Sequence, residues 1–549
     1  MIVKEDRKVE RIMKTLMLTA LLSVPSFAAM PNAGTYDDLV TLLREVRQLE
    51  QTNTRDGVPD YTATTMSAVH QKLMVLRERL ITIDTTGWTL EQKIDREIVR
   101  AEINGFDFFI RVLKPWERDP AFYVLIFPNQ SDTPEHEGPV SHAMIDLWKY
   151  SYPLSKSEAQ KLTAQLKIIP PLLDQAQQNL TGNAKDLWMA GIQSAHEQVQ
   201  DLDDLIQKIE KPDKNLKDAL QKARIATIMF AEWLEQVAPQ KNGPSGIGKE
   251  NYTWFLRNVL LVPMTWEEEL TLLRRELDRA YAMLALERQH NRNLPPLNPA
   301  SDTAEFERRT NGAVKNMMAF FTDRKVYPVR SYMEPELRKH LGRFQPADQR
   351  NFFSNVLHHE PAVLYSHLIH WFEIAALRAE PHPSSVRRDP LPFNIWVSRS
   401  EGMATAVEEI FMHAGLYDDN ARARELVWIM LAQRCARGIA SLYAHANMMS
   451  MTEAQDYQIE WTPTEWRGVR GLVIGEQHLY LRLPGYGTSY VTGKYLIDRL
   501  IKDRSRQPDK AFVLHDFFNE VNAAGMIPVS LIRWQLTGQD DEMKSIVKP

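Results

Sequence analysis

Apolar residues recur at three- and four-residue spacing along most of the chain, with charged residues between them. That is the pattern of helices that bury one face. Residues 36–54, 63–83 and 89–113 each read as such a helix. The third opens at Thr89 with Gln92 three residues on, a pair able to form a capping box. Pro115 and Pro120 keep 113–123 out of a long helix. Residues 156–181, 184–211 and 213–239 predict three more, the first interrupted at Pro170-Pro171. A Gly- and Pro-rich turn at 240–250 follows, and Thr265 with Glu268 opens a helix running to about residue 291. Proline-interrupted, extended passages are expected at 325–337 and 381–398, with a short strand at 394–398. Helices return at 400–415, 420–446, 452–458, 465–479, 487–504 and 510–523. There is no βαβ alternation, fixed-period repeat or Gly-rich phosphate loop. The pattern predicts one large, mainly α-helical domain over residues 30–549 with a small β component.

The first residues read differently. Lys14 precedes an apolar run at 16–24, then Pro25 and Ser26-Phe27-Ala28, a small-x-small cleavage pattern. This predicts a signal peptide over 1–29 and an exported protein, periplasmic or extracellular. Met13 is an alternative start, because residues 1–12 are highly charged. No Cys follows the run, so no lipid anchor is expected, and no later apolar run is long enough for a membrane span. Cys435 is the only cysteine, which excludes an intramolecular disulfide. The formal net charge of −5 and the lack of a Lys/Arg block argue against nucleic acid as a partner. Thirteen Trp and 17 Tyr suit an aromatic-lined interior or cleft.

The candidate chemistry gathers at residues 357–370, which hold four of the chain's 15 histidines. His359-Glu360 is how a zinc-peptidase helix begins: the His binds metal and the Glu takes a proton from water. The second ligand belongs one turn on, at i+4, where this chain has Val363. His367 is a poor substitute on a straight helix, since eight residues rise about 12 Å. Pro361, however, disfavours helical geometry in the residue before it, so His358, His359 and Glu360 belong to a bent approach. His370, farther along, reads as packing or surface. About forty residues on, Ser400-Glu401-Gly402-Met403-Ala404 offers Glu401 as a third ligand, with Gly402 allowing a close backbone approach. An acid in a first helical turn is also ordinary. Tyr486 and Tyr490 lie four apart, share a helix face and can donate to an oxyanion, although tyrosines so spaced more often pack. His445, alone on its helix face, reads as structural. No G-x-S-x-G elbow or CxxC pair is present.

These passages resemble the bacterial family of unknown function DUF885, whose members look like gluzincin-type zinc peptidases. Lys114-Pro115-Trp116 with Asp119-Pro120 and Tyr123 is similar to its R-P-W-x-x-D-P-x-Y. Tyr252 followed by Thr265-Trp266-Glu267-Glu268 is similar to its Y…T-x-E-E, and Glu401-Gly402-Met403-Ala404 to its E-G-W-A. Pro484-Gly485, Tyr490 and Gly493 keep the spacing of its P-G-Q-A-x-x-Y-x-x-G. The chain departs at the metal motif H-E-x-x-P-G-H-H, where Pro361 directly follows Glu360 and Val363 and Leu364 stand for the later histidines. It departs again where Tyr443 and Asn447 replace an Asp and a His.

The resemblance implies a zinc-peptidase-like fold with a cleft between helices. The first expectation is a secreted metallohydrolase of peptide or other amide bonds. His359, with His358 or His367, and Glu401 would hold zinc, Glu360 would be general base, and Tyr490 would stabilise the oxyanion. The second is a pseudoenzyme, the same fold kept as a binding or scaffold protein. A metal-free carboxylate hydrolase ranks last.

Overall fold

The computed structural model describes residues 34–51, 53–393, 395–466, 470–508 and 511–547. The expected signal peptide lies outside the described residues. Nine helices frame the site and are numbered in chain order: α1 Tyr36–Gln51, α2 Leu90–Phe108, α3 Trp266–His290, α4 Phe352–His359, α5 Pro361–His367, α6 His370–Ala379, α7 Val397–His413, α8 Ala423–His445 and α9 Tyr486–Ser505. Their starts follow local chemistry. Thr89 and Gln92 form the expected capping box at α2, as do Thr265 and Glu268 at α3. The prolines expected to interrupt 156–181 do so: one helix ends at Leu166, and the next, Ile169–Asn179, carries them in its first turn.

Among the described residues the β component is two short pairs. Thr54–Arg55 lies antiparallel to Val58–Pro59, and Ile126–Phe127 parallel to Ile145–Asp146. The strand expected at 394–398 is not there. Ile395 and Trp396 form a turn and Val397 begins α7, while Asn394 lies outside the described residues. Its apolar side chains are buried as the entry to a helix rather than as a strand.

One continuous apolar core runs from Leu39 to Ile546, which makes the molecule a single mainly α domain. Its centre is the crossing of α7 and α9, with α8 packed on α3 and α9. Glycines permit that crossing. A Cβ on Gly402 would lie 2.4 Å from Gly493 Cα, and one on Gly493 2.2 Å from Ser398 O. Backbone therefore touches backbone where Glu401 and Tyr490 enter the interior.

Candidate metal centre

Glu360 is extended (φ −149°, ψ 92°) and caps α5, its Oε1 accepting from Ala362 N at 3.3 Å. Helix α5 ends at His367, Leu368 and Ile369 turn the chain, and α6 begins at His370. That break places the two imidazoles edge to face with centroids 5.1 Å apart. From α7, Glu401 approaches until its Oε2 is 3.2 Å from His370 Nε2. His367, His370 and Glu401 each offer one ligand atom, all within 4.8 Å of one another, and all three residues are buried. Donors around a tetrahedral zinc stand about 3.4 Å apart, so modest side-chain rotation would close the set.

The surroundings orient each ligand. His370 Nδ1 meets Ser400 Oγ at 3.0 Å, which leaves Nε2 for a ligand. The Nδ1 edge of His367 is held by Glu408 Oε1 at 3.0 Å and Arg434 Nη2 at 3.1 Å. Arg434 forks onto Glu408 with two bonds of 2.6 Å. His370 Nε2 and Glu401 Oε2 form a buried ion pair at 3.2 Å, and neither atom has a further partner among the described residues. An imidazole nitrogen and a carboxylate oxygen engaged only with each other, with a second imidazole beside them, are a donor set that fits zinc.

The charges follow from burial and from neighbours. Burial alone would lower the pKa of His370, but Glu401, with help from Asp132 and Glu373, lifts it to about 9. Burial would raise Glu401, yet the His370 charge and the bonds it receives bring it down to about 2. The two are an imidazolium and a carboxylate when no metal is held. Burial, with Arg434 and His370 nearby, drives His367 far below the usual imidazole range, so it is neutral. Burial raises Glu408 to about 7 against the pull of Arg434.

Two tyrosines and a loop complete the site. Tyr486, after the left-handed Gly485 (φ 79°), donates to Glu401 Oε1 at 2.5 Å and also contacts Glu137 Oε1. One phenolic proton cannot serve two carboxylates. Burial, and then the Asp132 charge, push Glu137 up to about 8, so near neutral pH it is the member that carries its own proton. The chain therefore runs from Glu137 through Tyr486 to the ionised Glu401. Tyr490, one turn on, lies under the Arg437 guanidinium at 3.9 Å and 6.2 Å from the His367 ring.

The structure thus brings together Glu401, Tyr490 and His367 of the residues expected from sequence, and it adds His370, Tyr486, Glu137 and Asp132. It sets the others apart. His358 has both ring nitrogens engaged, Nδ1 with Ser354 O at 2.7 Å and Nε2 with Gln345 N at 2.9 Å, and it packs on Phe306. His359 bonds Asn355 O through Nδ1 and lies against Trp466. His359 and Glu360 line a separate open groove with Arg309 and Asn420, to which none of the three clustered residues belongs. Val363 is core. His445 is buried, with Nε2 against Tyr480 O at 2.9 Å.

The remaining motif passages are structural. Asp119 Oδ1 accepts from Ala121 N and its Oδ2 from Arg482, while Tyr123 donates to Trp116 O. Tyr252 and Thr492 donate to Glu269, tying α3 to α9.

Residues 46–364, more than half of the chain, match the family described as bacterial protein of unknown function, DUF885. No curated protein matches. Two solved structures share the fold. One, from Shewanella oneidensis, is described as "a putative lipoprotein of unknown function" and is 14% identical with a TM-score of 0.67, covering 92% of this chain and 100% of its own. The other, from Colwellia psychrerythraea and described as "the putative lipoprotein", is 13% identical with a TM-score of 0.60, covering 92% and 99%.

Proposed function

The chain belongs to the DUF885 family of bacterial proteins of unknown function, and from that premise we propose that it is an exported, zinc-dependent hydrolase of peptide or other amide bonds. The observation that carries this reading is the buried His370–Glu401 pair, whose Nε2 and Oε2 have no partner but each other among the described residues, with His367 beside them. These three residues hold the zinc, which supplies Lewis acidity toward an amide carbonyl.

The chain's own residues do the rest. Tyr490 donates its phenolic hydrogen to the oxygen that gains charge. Glu137, which carries its own proton near neutral pH, loses it as the pH rises through about 8; in that ionised form it takes a proton from water and returns it to the leaving amine. It takes the role that sequence spacing suggests for Glu360, which lies in the other groove. Export is supported by the N-terminal apolar run with its small-x-small ending. The two similar structures, described as lipoproteins, point the same way. No described helix is long and apolar enough to cross a membrane.

The second reading, a pseudoenzyme, is favoured by one feature. Arg434 and Arg437 crowd His367 and oppose a second positive charge. Metal-free protein, supplied with zinc and incubated with a mixed peptide pool read by mass spectrometry, separates the two. The hydrolase cleaves, and its Glu401→Gln variant does not. No cleavage by the zinc-loaded protein supports the pseudoenzyme.

A further inference from the structure

A cavity of about 180 Å³ lies directly beside the metal centre, behind the loop that carries Glu137. A short stretch of chain separates them on each side. Glu137 faces Tyr486 in the centre, and the next residue, Gly138, lines the cavity. Leu483 lines it too, three residues before Tyr486, and a Cβ on Gly138 would touch Leu483 Cβ at 3.9 Å. Arg482 holds this wall in place by donating to Pro139 O at 2.9 Å and to Asp119 at 2.6 Å.

The lining is mainly aromatic and acidic, with the imidazoles of His136, which pairs with Asp146 at 3.0 Å, and His142 beside them. Five aromatic rings surround the space, those of Tyr61, Phe106, Phe109, Phe255 and Phe393. The carboxylates of Glu50 and Glu135 also line it, and neither forms an ion pair among the described residues. Asp60, at the margin, is already paired with Arg55. Among the described residues the lining contains no Lys or Arg. Behind it Glu102 is 1% exposed, one turn before Gly105 and Phe106 on the same face of α2, and its Oε1 has no hydrogen-bond partner. Three acids thus surround one aromatic space. Arg47 on α1 eases Glu50 and Glu102 through space, but its hydrogen bond goes to Asp389 at 3.2 Å and not to either of them.

Acids placed so repel one another. Burial and the neighbouring acids push Glu50 up to about 7 and Glu102 to about 8. A bound cation relieves both burdens at once, through the carboxylates and through the faces of the rings. An anionic or neutral polar guest relieves neither.

We infer that this cavity is the specificity pocket of the site and takes a long, apolar-stemmed cationic side chain, of the lysine or arginine kind, next to the amide bond to be cut. The inference rests on reading the His367, His370 and Glu401 cluster as the place of cleavage, but the binding it predicts does not require turnover.

The test uses the full chain and two matched probes, Nα-acetyl-lysine amide and Nα-acetyl-norleucine amide, with affinities measured by calorimetry. The same side chains are then placed beside the scissile bond in a peptide pair. The lysine probe binds at least about tenfold more tightly than the norleucine probe. The preference collapses in Glu50→Gln and in Glu135→Gln. Both variants are near-isosteric and are checked for an unchanged melting temperature, and Glu135→Gln on the loop stands in if Glu50→Gln does not fold. Equal affinities for the two probes, or a preference untouched by both variants, overturn the inference. Selective binding without cleavage of either peptide keeps the pocket and overturns the hydrolase reading. Cleavage of both peptides at equal kcat/KM with equal binding keeps the hydrolase and overturns the pocket.

Discussion

Replacing Lys494 by Met tests the clasp that holds α7 against α9. Lys494 is 5% exposed and places its Nζ 3.0 Å from Glu409 Oε2, where Arg279 also binds. Burial would raise the Glu409 pKa, but the two cations bring it from 4.5 to about 2. At about 1.4 kcal/mol per unit, that shift corresponds to about 3 kcal/mol of stability. Lys494 is the leading favourable cause, and removing one cation from this buried pair should cost about 2 kcal/mol. Methionine keeps the stem's packing and removes the charge. The folded state depresses this carboxyl, so the stabilisation is complete above the unfolded pKa and is lost as pH falls toward 2. The gap between wild type and Lys494→Met should therefore be about 2 kcal/mol at pH 7 and little more than 1 kcal/mol at pH 3. Urea unfolding followed by tryptophan fluorescence at the two pH values measures it. A gap below about 0.5 kcal/mol at pH 7, or one equally wide at pH 3, refutes the reasoning.

Other expectations follow from the same geometry. Gly402→Ala puts a methyl 2.4 Å from Gly493 Cα, against backbone that cannot yield cheaply. It should destabilise the chain by about 3 kcal/mol, read as a fall in melting temperature. Tyr490→Phe should lower kcat by about a hundredfold with KM little changed and zinc content unaltered. A KM effect alone would assign Tyr490 to packing. Thr265→Ala removes the capping box of α3 and should cost about 1 kcal/mol in urea unfolding, without effect on metal.

The helices were legible because their signals are local. Three- and four-residue spacing, the boxes at Thr89 and Thr265 and the proline pair at 170–171 each act within a few residues. The short strand failed because 394–398 is apolar on every side, a pattern that a buried helix entry shares. At the site, Glu401 was legible because Gly402 beside it marks a close backbone approach, and Tyr490 because it shares a helix face with Tyr486. His370 was not. From sequence it reads as packing or surface, whereas the turn at Leu368 and Ile369 and the approach of Glu401 from α7 make it part of the site. Its signal was the three-residue spacing from His367, outweighed by the familiar look of His359-Glu360. Asp132 and Glu137 sit in a loop without periodicity, and nothing near them in sequence points to α9.

Zinc content and affinity of the purified protein test the central claim most directly, measured for wild type, Glu401→Gln, His370→Gln and His359→Gln. The account predicts about one zinc per chain in wild type and in His359→Gln, and loss of tight binding in the other two. Zinc retained in His370→Gln and lost in His359→Gln would contradict it and move the metal to the groove of Glu360.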